Sequence, residues 1–243
     1  MRTTRRSLLG TALKAGALLP FAGPAIVGCG NQTAAETETE EESISPLKIL
    51  ILGGTSFLGP HQVAYALERG HSVSIFTRGK TKPTVHQDSF DQVEALVGDR
   101  NDNLTAFENR EWDVVIDNSG RNVEWTKATA ELLKGKVKYY LYTSSTGVYY
   151  PYLTDDIKED TELVTAVPEG IEDEDEQLEY DYGVMKTLSE KAATTAFGPD
   201  RTIIVRPTYM VGPADKTNRF IHWPIRLSRG GETLVPGKED DPV

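Results

Sequence analysis

The sequence predicts an α/β fold with a doubly wound parallel sheet over residues 47–243. A nearly continuous apolar run at 47–52 ends at Gly53, and such a run is typical of a parallel strand buried on both faces. A helical stretch follows to about residue 69, and further strand and helix patterns alternate after it, as in doubly wound sheets. The other predicted strands are 73–76, 93–97, 114–116, 139–142 and 202–205, and the clearest later helical patterns are 124–133 and 186–196.

The composition excludes several classes of protein and site. The 243 residues include 37 acidic and 26 basic ones, a formal net charge of −11, so we expect no nucleic-acid binding, which needs clustered Lys and Arg. One cysteine excludes a disulfide framework and a multi-thiolate zinc site. Four scattered histidines argue against a catalytic metal cluster, and we predict no metal site.

Residues 1–29 have the pattern of an export signal. Arg5 and Arg6 precede a mildly apolar run rich in Gly and Ala, with no acidic residue, as in a twin-arginine signal. Lys14 and two prolines interrupt the run before it reaches the ~20 apolar residues that a membrane-spanning helix needs. We therefore predict a bacterial protein that the twin-arginine machinery exports across the cytoplasmic membrane.

The segment 26–29, Ile-Val-Gly-Cys, resembles a bacterial lipoprotein box. We predict lipidation of Cys29 and a membrane-anchored lipoprotein, and the alternative is an inert buried cysteine. Residues 30–46 contain five acids, no base and one isoleucine, which is too little apolar surface to fold. We predict that they form an acidic, disordered linker between the anchor and the domain.

A glycine-rich turn follows the first predicted strand. Its sequence, Gly-Gly-Thr-Ser-Phe-Leu-Gly at 53–59, lies directly before a predicted helix. Glycines in this position let backbone N–H groups approach a pyrophosphate at the helix N-terminus. The alternative is a purely structural turn, but the strand before it and the helix after it favour a nucleotide site.

Tyr182 and Lys186 lie four residues apart in a predicted helix, so their side chains share one face. An ammonium beside a phenol favours the phenolate, which suits Tyr182 to proton transfer near neutral pH. The same spacing also occurs by chance on surface helices. Ser144 and Ser145 support a catalytic role, because they follow a predicted strand at the edge where open α/β sheets place their ligands.

Together these segments resemble the short-chain dehydrogenase/reductase superfamily, in its extended or atypical branch of NAD-dependent epimerases and dehydratases. The resemblance implies a Rossmann-like, NAD(P)-binding domain over residues 47–243. The matching segments, in the family's order, are 53–59, 98–100, 144–149, 182–186, 206–208 and 212–213.

The resemblance implies roles for individual residues. Tyr182 would be the catalytic acid/base, Lys186 would lower its pKa and hold the nicotinamide ribose, and Ser145 would hydrogen-bond the reacting oxygen. Asp99 is expected beside the adenine. The other cofactor-binding residues are Gly53, Gly54, Ser56, Phe57, Leu58 and Gly59 at the pyrophosphate, Ser119 and Gly120 beside the ribose and nicotinamide, and Pro207 and Thr208 at the carboxamide.

Several residues depart from the family's pattern. Ser56 stands where the second glycine is usual, Tyr209 where an asparagine is common, and Tyr150 where a glycine is usual. The segment 117–120, Asp-Asn-Ser-Gly, replaces the usual His-x-Ala-Ala. These departures favour the atypical branch over a sugar-nucleotide epimerase proper.

The residues after the second predicted strand bear on the choice of cofactor. An acid at the end of this strand would bind the ribose 2′-hydroxyl of NAD, but no acid is present. Arg78 and Lys80 are instead placed to pair with a 2′-phosphate, and the alternative is a solvated basic turn. The predicted cofactor is NADP or NAD, with NADP favoured.

Two segments near the end of the chain raise further expectations. Residues 155–181 contain thirteen acids and one base, Lys158, and we expect a long loop near the active-site mouth. This loop is either a solvated flap or a surface that repels anions or binds a cation. The chain ends in polar residues where the family continues with a strand and a small substrate domain, so we expect that domain to be missing or truncated.

The sequence therefore predicts an NAD(P)-dependent epimerase/dehydratase-like oxidoreductase that acts at a hydroxyl-bearing carbon of a small molecule, with a sugar or sugar nucleotide as the implied substrate. Twin-arginine export carries folded proteins, so the cofactor could be loaded before export. A tightly held cofactor, recycled in each turnover, favours epimerase or dehydratase chemistry. The rival hypothesis is a non-catalytic nucleotide-binding or scaffold protein that retains the fold. A homodimer is implied by resemblance alone.

Overall fold

The computed structural model describes residues 45–153, 156–217 and 220–234. The predicted export signal with Cys29 and most of the predicted acidic linker lie outside the described residues. Within these ranges, no helix is long and apolar enough to cross a membrane. The same ranges contain no group of three or more His, Cys, Asp or Glu side chains that could hold a metal ion.

The described part of the chain contains six strands and four α-helices. The strands are β1 (Lys48–Leu52), β2 (Ser72–Thr77), β3 (Glu94–Val97), β4 (Trp112–Asp117), β5 (Val137–Thr143) and β6 (Thr202–Val205). The helices are α1 (Leu58–Glu68), α2 (Val123–Leu133), α3 (Glu174–Phe197) and α4 (His222–Ser228). Each strand begins and ends within two residues of its predicted bounds.

All six strands form one parallel sheet in the order β3-β2-β1-β4-β5-β6. This topology confirms the predicted doubly wound α/β fold. The order reverses between β1 and β4, so the chain leaves these two neighbours in opposite directions. The reversal opens a crevice at the carboxyl ends of β1 and β4, where this class of sheet binds its ligands.

Both faces of the central strand β1 are covered. Leu50 and Leu52 belong to a core cluster that also contains buried residues of α2 and α3. Ile49 and Ile51 belong to a second cluster with buried residues of α1 on the opposite face. Successive side chains of a strand point to opposite faces, so a strand covered on both sides must be apolar throughout.

The prediction of a long loop at 155–181 is wrong for the last eight residues, because these residues form the first turns of α3. Asp173 caps this helix, since its Oδ1 accepts the N–H groups of Asp175 and Glu176, each at 2.9 Å. Three acids occupy the first turn, where negative charge interacts favourably with the helix dipole. The acidic run therefore favours the start of the helix.

Candidate active site

Helix α3 places Tyr182 and Lys186 at the carboxyl edge of the sheet. Lys186 is only 7% exposed, and its Nζ donates to the carbonyl oxygen of Thr143 at 3.0 Å. The same Nζ lies 5.0 Å from the ring centroid of Tyr142 and 5.8 Å from that of Tyr182. Burial lowers the pKa of Lys186. The ammonium therefore lies beneath the phenol of Tyr182, which is 42% exposed.

Gly147 brings Ser145 close to Tyr182. A Cβ atom at Gly147 would lie 3.1 Å from Cδ1 of Tyr182 and 3.4 Å from Oγ of Ser145. Ser145 caps the short helical turn Thr146–Tyr149, and its Oγ accepts the N–H of Gly147 at 3.1 Å. The structure thus brings Ser145, Tyr182 and Lys186 together, while their catalytic roles stay predictions.

The glycine-rich turn forms one side of the crevice. Gly53 has a φ of +84°, a conformation that residues other than glycine rarely adopt. A Cβ atom at Gly59 would lie 2.4 Å from the carbonyl oxygen of Gly54, so the start of α1 packs directly on the turn. Ser56 is exposed and has no positive φ, so serine is tolerated where the family usually has glycine. Phe57, directly before α1, has a φ of +31°.

The segment after β4 forms the other side of the crevice. A Cβ atom at Gly53 would lie 3.0 Å from Cβ of Ser119, so the two sides approach closely. Gly120 is buried against Tyr142, whose hydroxyl donates to the Gly120 carbonyl oxygen at 3.3 Å. Nearby, the buried Oγ of Ser144 has no hydrogen-bond partner among the described residues. Backbone groups and the Ser144 hydroxyl, which are the kinds of group that hydrogen-bond phosphates and riboses, therefore lie at this edge of the sheet.

The ends of β2 and β3 bring Arg78, Lys80 and Asp99 near one another. The backbone N–H of Asn101 and its Nδ2 donate to Oδ1 of Asp99 at 3.0 and 2.8 Å. These hydrogen bonds, with the charges of Arg78 and Lys80, lower the pKa of Asp99. Both cations are exposed. Two cations and one acid therefore lie at the end of the crevice where the family resemblance implies the adenine and its ribose.

The segment after β6 lies against the turn that carries Ser145. The N–H of Thr146 donates to the Pro207 carbonyl oxygen at 3.1 Å, and the N–H of Ser144 donates to that of Val205 at 2.7 Å. Pro207 is half-buried and Thr208 is exposed. These residues thus lie on the Ser145 side of the crevice, and their predicted contact with the carboxamide stays a prediction.

The model of the NAD dependent epimerase/dehydratase family matches residues 49–241. The chain belongs to this family. Membership confirms the resemblance to this family, and the NAD dependence in the family's description supports NAD as the cofactor.

Solved structures of family-type enzymes share the fold. UDP-galactose 4-epimerase is 22% identical with a TM-score of 0.58, over 75% of this chain and 63% of that chain. The dTDP-glucose 4,6-dehydratase of Bacillus anthracis, solved with NAD, is 18% identical with a TM-score of 0.58, over 75% of this chain and 61% of that chain. These similarities show the fold alone.

A curated relative is the chloroplast stem-loop binding protein of 41 kDa b from Arabidopsis thaliana. It is 32% identical over 208 residues, which cover 79% of this chain and 50% of the relative. This chain of the epimerase/dehydratase family therefore spans about half the length of that relative.

A buried ion pair beside the crevice of this family member was not assigned from the sequence. Arg100 donates from its two terminal nitrogens to Oδ1 and Oδ2 of Asp117 at 2.6 and 2.9 Å. The hydroxyl of Tyr140 donates to Oδ2 of Asp117 at 2.7 Å. Burial alone would raise the pKa of Asp117, but Arg100 and Tyr140 outweigh burial and hold that pKa below its ordinary value. In the sequence, this ion pair is indicated only by an acid at the end of a buried strand and by an arginine directly after Asp99.

A second arginine–carboxylate pair joins the segment after β6 to α3. Arg206 donates to Glu190 from Nε at 2.9 Å and from a terminal nitrogen at 2.7 Å. Its other terminal nitrogen donates to the Tyr149 hydroxyl at 2.6 Å and to the Glu159 carbonyl oxygen at 2.9 Å. This pair therefore fastens the acidic connection between β5 and α3 to the Ser145 side of the site.

Two histidines join α1 to the loops around it. Nε2 of His61 lies 3.0 Å from the Pro213 carbonyl oxygen, and Nε2 of His86 lies 3.0 Å from Nδ1 of His61. A carbonyl oxygen only accepts, so Nε2 of His61 must carry a proton and donate it. In neutral His61 the other nitrogen then accepts from His86, and this fixes the tautomers of both rings.

Proposed function

We propose that this protein is an NAD(P)-dependent oxidoreductase of the epimerase/dehydratase type that acts at a hydroxyl-bearing carbon of a small molecule. The observation that carries the proposal is the approach of Ser145 and Tyr182 to Gly147, with the buried ammonium of Lys186 beneath the phenol. This group lies at the sheet edge that also holds the glycine cradle.

The three side chains have complementary tasks in this chemistry. Oη of Tyr182 takes the proton of the substrate hydroxyl, and the ammonium of Lys186 lies beside the phenol ring. Oγ of Ser145 hydrogen-bonds the reacting oxygen and holds it beside the phenol. When it is bound, the nicotinamide supplies the acceptor for the hydride that leaves the same carbon. In an epimerase or dehydratase, Tyr182 later returns the proton.

We propose a sugar or a sugar nucleotide as the substrate class. Support comes from the neighbours, which include UDP-galactose 4-epimerase and dTDP-glucose 4,6-dehydratase. A sugar ring offers adjacent hydroxyl-bearing carbons, which suits chemistry that removes and returns a hydride. A panel of UDP-sugars, dTDP-sugars and free sugars, followed by NMR, separates epimerisation from dehydration and from simple oxidation.

We propose that the 2′-phosphate of NADP is preferred over the 2′-hydroxyl of NAD. Arg78 and Lys80 support this preference, because both lie at the adenine end of the crevice and no acid ends β2. Parallel titrations with NADPH and NADH test it. Arg78→Met should weaken NADPH by about tenfold and NADH by less than about twofold, since only NADPH carries the extra phosphate. Equal affinities in the wild-type protein would contradict the preference.

We propose that the protein is exported by the twin-arginine route and anchored through a lipid on Cys29. Support comes from the sequence pattern alone. Mass spectrometry of the membrane fraction tests it, because Cys29 should carry acyl chains and Cys29→Ser should release the protein from the membrane. A homodimer is proposed on the resemblance alone, and sedimentation of the purified protein tests it.

The decisive test of the enzymatic proposal is Tyr182→Phe. We expect turnover to fall by about 10²–10⁴-fold, because the general acid/base is lost, while the Kd for NADH stays unchanged. Tyr139→Phe is the matched control, since Tyr139 is a half-exposed tyrosine in β5 that is not part of the proposed site. Turnover that survives in Tyr182→Phe would contradict the mechanism. Cofactor binding without turnover on the whole panel would favour the scaffold hypothesis.

A further inference from the structure

We propose that the buried Arg100–Asp117 pair is a positioning device that sets Ser119 against the glycine turn and couples it to the Asp99 end of the crevice. The inference rests on the proposed function, because it assigns the pair a task in cofactor binding. Nothing in the sequence pattern requires this pairing, because the two residues are 17 positions apart and the strands concerned, β3 before Arg100 and β4 ending at Asp117, are not neighbours in the sheet.

The pair spans the point where the strand order reverses. Asp117 is the last residue of β4, and Arg100 follows β3 after two intervening residues. β2 and β1 lie between these strands in the sheet. The ion pair therefore connects segments from the two sides of the crevice, and no backbone ladder joins these segments directly.

Ser119 is held twice by the members of the pair. Its backbone N–H donates to Oδ1 of Asp117 at 3.1 Å, and its Oγ accepts from Arg100 at 3.1 Å. The ion pair alone needs neither of these hydrogen bonds. A Cβ atom at Gly53 would lie 3.0 Å from Cβ of Ser119, so a shift of Ser119 changes the width of the crevice at its narrow point.

A chain of hydrogen bonds continues from the pair to Asp99. Arg100 donates to the Trp125 carbonyl oxygen at 2.9 Å, and Nε1 of Trp125 donates to Oδ1 of Asn101 at 2.9 Å. Asn101 in turn donates twice to Oδ1 of Asp99. The two ends of the crevice are thus connected through one network that the buried pair anchors. We infer that the pair preorganises both ends for one long ligand.

The variants separate positioning from plain stability. Asp117→Asn keeps the side-chain shape and removes the charge. The double variant Arg100→Met with Asp117→Leu removes both charges, which often preserves folding where a single change does not. Leu133→Ala is the control for a loss of stability alone, because it opens a cavity in the core. Leu133 is the last residue of α2, whereas Trp125 lies in its first turn. Cooperative unfolding is checked first for each variant, and the double variant keeps the test valid if Asp117→Asn does not fold.

Three quantities are measured on the full chain. They are the Kd of NADH by nicotinamide fluorescence, the Kd of AMP by competition, and the hydrogen-exchange rate of the Ser119 amide without ligand. In the pair variants we expect the NADH Kd to rise by about tenfold or more, because preorganisation of the crevice is lost. The AMP Kd should change by less than about threefold, since AMP occupies only one end. In the double variant the Ser119 amide should exchange about tenfold faster, since leucine at position 117 offers no acceptor for it.

Two results would overturn the inference. One is a folded double variant whose NADH Kd and Ser119 exchange rate both stay within about twofold of wild type. The other is Leu133→Ala weakening NADH as much as the double variant does, because the pair would then act through stability alone. A wild-type protein that binds neither NADH nor NADPH overturns the proposed function itself, and that result is distinct from a variant that loses binding.

Discussion

Two arginine–carboxylate pairs lie at the same edge of the sheet but in different surroundings. The side chains of Arg100 and Asp117 are 6% and 0% exposed, whereas those of Arg206 and Glu190 are 18% and 6% exposed. Both pairs are bidentate, and both arginines donate further hydrogen bonds. The further partners of Arg100 border the crevice, while those of Arg206 belong to the turn and connection that lead into α3.

The difference shows how burial decides what a charged pair does. Water can replace a lost partner of Arg206 at its exposed side, but it cannot reach Asp117, so removal of one member leaves an uncompensated buried charge. The Arg206 pair can therefore fasten a connection that opens at moderate cost. The Arg100 pair instead fixes a geometry that changes only when the whole pair is disrupted.

The largest expected effect is on the stability of Asp117→Asn. Since Arg100 would keep its charge in a buried site, we expect the free energy of unfolding to fall by about 3–5 kcal/mol. Urea unfolding followed by circular dichroism measures the change. A loss below about 1 kcal/mol would mean that water enters the pair and that the two regions are alike.

Glu190→Gln should have a smaller effect. Because Arg206 is partly exposed and keeps Tyr149 and Glu159 as acceptors, we expect a loss of about 1–2 kcal/mol in the free energy of unfolding. Limited proteolysis should cut the connection at 156–173 faster, while the Kd of NADH stays unchanged. If NADH binding weakens as much as in Asp117→Asn, the comparison between the two pairs fails.

The pH dependence sharpens the comparison for Asp117. The pKa of Asp117 is lower in the folded protein than the ordinary value of about 3.9. At a pH between the folded pKa and the ordinary value, therefore, the carboxylate binds a proton only in the unfolded chain. The stability that the pair contributes is present above about pH 4 and is lost as the pH falls through the folded pKa. The difference in stability between wild type and Asp117→Asn should therefore shrink from pH 5 to pH 3, by up to about 1.4 kcal/mol per pH unit. Urea titrations at several pH values measure it, and a constant difference would contradict the lowered pKa.

The double variant Arg100→Met with Asp117→Leu should lose less stability than Asp117→Asn. Replacement of a buried pair by apolar side chains of similar volume removes both desolvation costs, but it leaves the hydroxyl of the buried Tyr140 without its acceptor, so we expect a loss of about 1–2 kcal/mol in the free energy of unfolding. Urea unfolding measures it beside the single variant. A loss as large as that of Asp117→Asn would show that the pair itself, rather than an unpaired charge, stabilises the fold.

Much of the fold could be predicted because it depends on local patterns. The apolar run of β1 and the shorter runs of the other strands are visible in the sequence, and each strand forms within two residues of its predicted place. The start of α3 is not predicted from the sequence, because an acidic run is also typical of a solvated loop. Asp173 and the acids after it instead match the electrostatics of a helix N-terminus.

The candidate site, like the fold, has a part that the sequence predicts and a part that depends on tertiary packing. Tyr182 and Lys186 could be paired from the sequence, because helix geometry alone places residues four apart on one face. Ser145 could be placed at the correct edge, because the carboxyl ends of parallel strands meet there. The approach of Ser145 and Tyr182 to Gly147 depends on how α3 packs on the turn after β5, and no local rule predicts that packing.

For this chain, therefore, short-range regularities were sufficient to identify the strands and the glycine turn, and the resemblance of several short segments indicated the epimerase/dehydratase family. Short-range regularities could not predict the pairing of Arg100 with Asp117, because this pairing depends on the order of the strands and on the path of the segment after β3. The free energy of a buried pair comes from its surroundings, and those surroundings exist only after the sheet has assembled.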